Sequence, residues 1–171
     1  QAENRAMLLT LAMYVLGINV GRYVDAPVES RQLRMFLTLL GRHDLAQHFT
    51  VSAALTVSAG GGLANAAGLF KELDDSRDGT GFSFDDLLAD RAGVRLAELA
   101  TGNEQQARLL QQRMSSELSE SDFMPPVDNL PPAIMELEFK REYRDLDSNK
   151  YRLVDDEIEK RILHCRVYQP A

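Results

Sequence analysis

The chain has 171 residues, a formal charge of −7 and a pI near 5.0, with 44% hydrophobic and 26% charged residues. That length suits one domain with a real core, and the acidic balance without a basic run excludes nucleic acid as the main partner, because phosphate binding needs a basic patch. The single cysteine, Cys165, rules out an internal disulfide, and three histidines, His43, His48 and His164, leave almost no room for a multi-histidine metal site.

The hydrophobic period is helical nearly throughout, which predicts an all-α bundle of about seven or eight helices in a single domain spanning 1–171. Residues 3–22 are apolar on nearly every side and read as a central buried helix. Pro27 closes a turn, and a second helix is expected over 29–40, with Leu33, Phe36, Leu37 and Leu40 as its stripe and Gly41 as its stop. A third helix starts near Asp44 and should break at Gly60-Gly61-Gly62, since three glycines cost about 3 kcal/mol of helix propensity. A fourth segment covers about 63–73. Phe49–Phe70 carries no charge and is long enough to span a bilayer, but its Ala, Gly, Ser and Thr content favours a buried pair of small-residue helices.

Ser83 opens a fifth helix, with an acid, Asp86, three residues on in a capping pattern, and the helix should end near Thr101-Gly102. A sixth is expected over about 103–118. The stretch 119–133 holds four prolines and reads as an extended surface strap. Two C-terminal helices, about 133–144 and 149–164, then pack back, the last through Leu153, Ile158, Ile162 and Cys165. Met7, Met13 and Met35 read as core filler. Asp155, Asp156, Glu157 and Glu159 read as a solvated face.

The acid-rich segment KELDDSRDGTGFSFDDLLAD, residues 71–90, has three readings. As a calcium loop it would place Asp74, Ser76 and Asp78 at positions 1, 3 and 5, Gly79 at 6 and Asp85 at 12. The twelfth ligand is then an Asp, one carbon shorter than the usual bidentate Glu, so any calcium site is weak. The bland reading is a polar turn in which Asp and Gly supply unusual backbone angles. The third reading is a constellation. Asp44 and His48 share one helix face, and Asp86 and Asp90 another, because side chains four apart on a helix are neighbours. With Glu72 between them, one histidine and several carboxylates would meet. Such a set suits a divalent cation, or a base paired with an acid of raised pKa. The residues could equally be structural: Asp86 a capping acid, Asp90 a partner of Arg91 or Arg95, and His48 a core histidine held by Asp44. Ser52 shares the His48 face, but no Gly-x-Ser-x-Gly elbow supports a catalytic triad.

The stretches HDLAQHFTVSAALT, GLFKELDD and GFSFDDLLADRAG resemble the YfiM-like family of bacterial envelope lipoproteins and, more distantly, VanZ-like membrane proteins. The matching positions are Asp44, His48, Phe49, Lys71, Glu72, Asp75, Asp86, Asp90 and Gly93, all within 44–93. The resemblance implies a periplasmic or cell-envelope setting, with an envelope protein or a membrane-proximal partner, and implies no particular reaction. Residue 1 is Gln where that family carries its lipid-bearing Cys, so the resemblance brings no lipid anchor with it. It selects the same acids and histidine as the helical spacing. The expectation is therefore a capped turn that sets Asp86 and Asp90 toward His48, in a protein with a structural or interaction role. The alternative is a metal-assisted, hydrolase-like enzyme working through His48, Glu72, Asp86 and Asp90. An open cleft would favour the enzyme, and a closed, internally paired cluster the structural role.

Overall fold

The computed structural model describes residues 1–18, 35–61, 71 and 81–170. Among these it has six α-helices: α1 (Ala2–Val15), α2 (His43–Ala59), α3 (Phe84–Thr101), α4 (Glu104–Met114), α5 (Glu136–Glu142) and α6 (Asn149–His164). Two short 3-10 turns, Glu120–Asp122 and Arg166–Tyr168, complete it. There is no sheet among the described residues, only two isolated bridges, Leu39 with Arg42 and Phe82 with Ile134. No described helix is long and apolar enough to cross a membrane.

The all-α class holds, but seven or eight helices were expected. The first helix stops earlier than its apolar run, because Gly17 takes φ 70° and Ile18 donates back to the Met13 carbonyl at 2.8 Å. The expected helix over 29–40 is not helical in its described part, 35–40. A tight turn replaces it, with Leu40 at φ 51° and Gly41 at φ 74°, closed by reciprocal 2.9 Å hydrogen bonds between Leu39 and Arg42. Phe36 is exposed and stacks on His43 instead of joining a core stripe. Of the expected segment over 63–73, only Lys71 lies within the described residues. The glycine break is present: α2 ends at Ala59, with Gly60 at φ 97°.

Helix α3 is the centre of the molecule, contacted by α1, α2, α4 and α6. Ser83 caps it by accepting the Asp86 N–H at 3.2 Å. Its Ala89, Ala92, Gly93 and Ala97 are buried, which lets neighbours come close. The closest approach is at Gly93, where an added Cβ would overlap the Phe49 carbonyl oxygen and stand 2.9 Å from the carbonyl carbon. A Cβ on Gly61 would likewise run into Glu98. Since Phe49 meets Gly93 and Gly61 meets Glu98, α2 and α3 run in the same direction.

The remaining elements are tied to this pair by specific anchors. Asn4 on α1 donates to the Ala100 carbonyl at 2.7 Å and accepts from Gln111 on α4 at 2.7 Å. Phe82, Phe84, Phe139, Tyr143 and Tyr151 form one aromatic cluster, with Phe82 and Phe139 centroids 4.7 Å apart, that seats α5 and α6 against the start of α3. Buried Tyr168 donates to the carbonyls of Phe123 at 2.6 Å and Ala92 at 3.2 Å, joining the Pro-rich strap, the C-terminal turn and α3. On α6, Ile158 and Ile162 face inward as expected, as does Cys165 just past its end, whereas Leu153 is 70% exposed. Met7 and Met35 are also exposed rather than core filler. Periodicity marks an apolar face; it does not say that anything covers it.

Candidate functional site

The parallel course of α2 and α3 brings their N-terminal halves side by side. His48 then projects between two carboxylates one turn apart on α3. Its Nδ1 lies 3.2 Å from Asp90 Oδ1, and its Nε2 lies 3.6 Å from Asp86 Oδ2. Ser52, one turn on from His48, donates its hydroxyl to the same Asp90 oxygen at 2.6 Å. So His48, Asp86 and Asp90 meet in space. The side chains are 11%, 13% and 4% exposed respectively, so the group is closed from solvent. Asp90 Oδ2 is buried and has no donor among the described residues.

Asp44 is not the partner of His48. It is taken by Arg42, whose NH2 lies 2.5 Å from Asp44 Oδ2. The same guanidinium reaches Asp85 Oδ2 at 2.6 Å and Asp86 Oδ1 at 3.3 Å. A planar, always-charged cation with five N–H donors can meet three carboxylates on two helices at once, where an imidazolium has two donors. Arg42 therefore crosses from the start of α2 to the start of α3. Two parallel helices place two positive dipole ends together, and the acids Asp44, Asp85 and Asp86 in their first turns offset that charge. Sequence reasoning missed Arg42. Its signal is its position directly before a helix, in Arg42-His43-Asp44, beside the hairpin glycine Gly41.

Asp90 does not pair with Arg91, which binds Asp155 at 2.6 Å and Glu159 at 3.3 Å. Asp155 is thereby partly drawn out of the solvated face expected for α6. Ser52 points at Asp90 and not at His48, so the residues do not form a nucleophile–base pair. Glu72, Asp74, Ser76 and Asp78 lie outside the described residues. Asp85, the twelfth position of the calcium reading, is engaged by Arg42.

The electrostatics follow from burial and pairing. Burial by itself pushes the His48 pKa down; the Asp90 hydrogen bond and the charges of Asp90 and Asp86 outweigh it, against a smaller opposing effect of Lys71, and hold it above its usual value. Asp86 is raised by burial, with His48, Arg42 and Lys71 pulling the other way. Asp44 is lowered, chiefly by its hydrogen bond from Arg42. The cluster can thus hold a proton on His48 between two carboxylates. Among the described residues no group of three or more His, Cys, Asp or Glu side chains is arranged to hold a metal ion. Three surface cavities elsewhere on the molecule are lined by other residues.

Comparison with protein-family models, curated proteins and solved structures finds no significant match for this chain.

Proposed function

We propose that this protein is a non-enzymatic helical component of the bacterial cell envelope, with a structural or interaction role, in which His48, Asp86 and Asp90 form an internal ionic clamp between α2 and α3. The observation that carries the structural reading is closure. Both ring nitrogens of His48 face carboxylates, and all three side chains are largely shut off from water. A catalytic histidine needs a ring nitrogen that a substrate can reach. The envelope setting rests on the likeness of 44–93 to the YfiM-like family.

One observation favours the second reading, a metal-assisted hydrolase-like enzyme. Asp90 Oδ2 is buried without a donor among the described residues, and buried unsatisfied acceptors are uncommon away from functional sites. Thermal melts of His48→Ala and Asp90→Asn separate the two. A clamp loses stability in both variants, by about 1–3 kcal/mol for each buried group left unpaired. Unchanged or raised stability in both would discard the clamp, because a site kept for chemistry stores strain and like-charge repulsion that such changes relieve.

A further inference from the structure

A groove of about 550 Å³ lies between the second half of α3, the length of α4 and the C-terminal tail. Its volume is in the range of small-molecule sites. Leu99, Leu109, Leu110 and Leu163 give it an apolar lining, and Leu163 is 50% exposed. The rim is polar: Arg95, Asn103, Gln105, Gln106, Arg113 and Gln169.

The charge lining this groove is opposite to the net charge of the chain. The chain carries 26 acids against 19 Lys and Arg, yet two arginines and no acid line the groove. Asn103, the N-cap of α4, and the first-turn residues Gln105 and Gln106 line it with neutral polar groups. Arg113 is committed, donating to the tail carbonyls of Val167 at 3.0 Å, Gln169 at 2.6 Å and Pro170 at 3.2 Å. Arg95 is held more loosely: its NH1 is 3.8 Å from the Glu98 carboxylate, one turn on, and no acceptor among the described residues meets its Nε. The Arg95–Glu98 pair is long and its side chains are 38% and 46% exposed, so the guanidinium keeps donors for a second carboxylate, whose planar geometry matches its fork.

We propose that this groove binds an aliphatic carboxylate, with the head group on Arg95 and the hydrocarbon chain along the leucine floor. The site is separate from the His48 clamp and stands or falls independently of it. Occupancy would also couple to the C-terminal tail, because Val167, Gln169 and Pro170 form one wall.

The test is titration of the intact protein with dodecanoate, below its micelle concentration, followed by heteronuclear NMR. Dodecanol and dodecyltrimethylammonium serve as neutral and cationic controls. The expected result is saturable binding that shifts Leu99, Leu109 and Leu163. Arg95→Gln and dodecanol should each weaken it by about tenfold, the loss of one charge-assisted contact. Glu98→Gln, which removes the competing carboxylate, should tighten it. Leu163→Gln changes a half-exposed side chain, leaves folding intact, and should also weaken it. Absence of saturable binding overturns the proposal, as does dodecanoate affinity that is the same in Arg95→Gln and Leu163→Gln as in the parent. Equal affinity for the cationic control overturns it too, and so does tighter binding at the groove of an apolar peptide ending in a free carboxylate.

Discussion

Gly93 of α3 lies so close beneath the backbone of Phe49 on α2 that the Phe49 carbonyl carbon would be only 2.9 Å from a Cβ placed there. His48 is the residue before Phe49, and Asp90 lies three before Gly93 on the same helix. The close approach of the two backbones is thus what carries the imidazole to the carboxylates.

Gly93→Ala tests this dependence. On helix propensity alone, alanine should stabilise α3 by about 1 kcal/mol. The clash opposes it, and overpacking of a tight interface costs about 1–3 kcal/mol. Backbone atoms form the obstruction, so no flexible side chain can move aside, and the clash should win. The expected outcome is a net loss of stability in chemical denaturation, together with a His48 NMR titration that moves toward that of free histidine. A variant at least as stable as the parent would mean that the helices separate freely and that the clamp does not depend on their approach.

The clamp also fixes a direction for pH dependence. His48 holds its proton more tightly in the folded protein than its usual value of 6.5 implies. Between that value and the folded pKa the native state binds more protons than the unfolded chain, so stability falls as pH rises through the window. Its contribution is complete below 6.5 and gone above the folded pKa. Asp86, raised from 3.8, acts with the same sign in a more acid window, since its folded form also favours the proton. Melts across neutral pH should show the parent losing stability with rising pH, and His48→Gln a flatter profile. A parent profile that is level or rising relative to His48→Gln through that window would refute the clamp's protonation.

Much of this organisation is written locally in the sequence. Ser83 with Asp86 three residues on marks the start of α3, Gly60 marks the end of α2, and Ser148 opens α6 at the expected place. The spacing of Asp86 and Asp90 puts both on one face, and the two do meet His48. What the sequence does not carry is direction. Whether α2 and α3 run parallel depends on the connection between them, not on either helix's own pattern. Asp44 shows a second limit. Spacing by four made it the natural partner of His48, but Arg42, two residues away and always charged, competes better for a carboxylate than an imidazole does. Phe36, Met7 and Leu153 show a third: apolar residues at helical spacing need a neighbour before they become core.

Cys165 offers a probe of the C-terminal half. It is 4% exposed, and burial together with the Asp122 charge pushes its thiol up to about 11, from the usual 9.0. At mildly alkaline pH the loss of thiolate alone slows reaction with a thiol reagent by about a hundredfold relative to the unfolded chain, since the thiolate is the nucleophile. Burial slows it further. Native protein should therefore label slowly with a disulfide reagent and rapidly once denaturant unfolds it. Labelling of the native protein at the unfolded rate would show that the end of α6 opens readily, despite the anchoring of Tyr168.

Calcium should leave the protein unchanged. In the calcium reading of 74–85, the twelfth position must supply the strongest carboxylate, and that residue is Asp85. Asp85 sits in the first turn of α3 with Oδ2 2.6 Å from Arg42. A calcium ion there would have to break this pair and then sit beside the freed guanidinium, so the site is opposed twice, by a lost contact and by like charge. Linkage makes the test sensitive. A site with a dissociation constant of about 1 μM would add about 4 kcal/mol of stability at about 1 mM calcium, a shift no thermal melt would miss. The expected outcome is no shift at that concentration in the parent. Arg42→Ala then asks whether the arginine is the obstacle. If it is, calcium should stabilise that variant while leaving the parent unaffected. If the parent itself gains several kcal/mol, and loses the gain in Asp78→Ala, the acidic turn is a calcium loop after all.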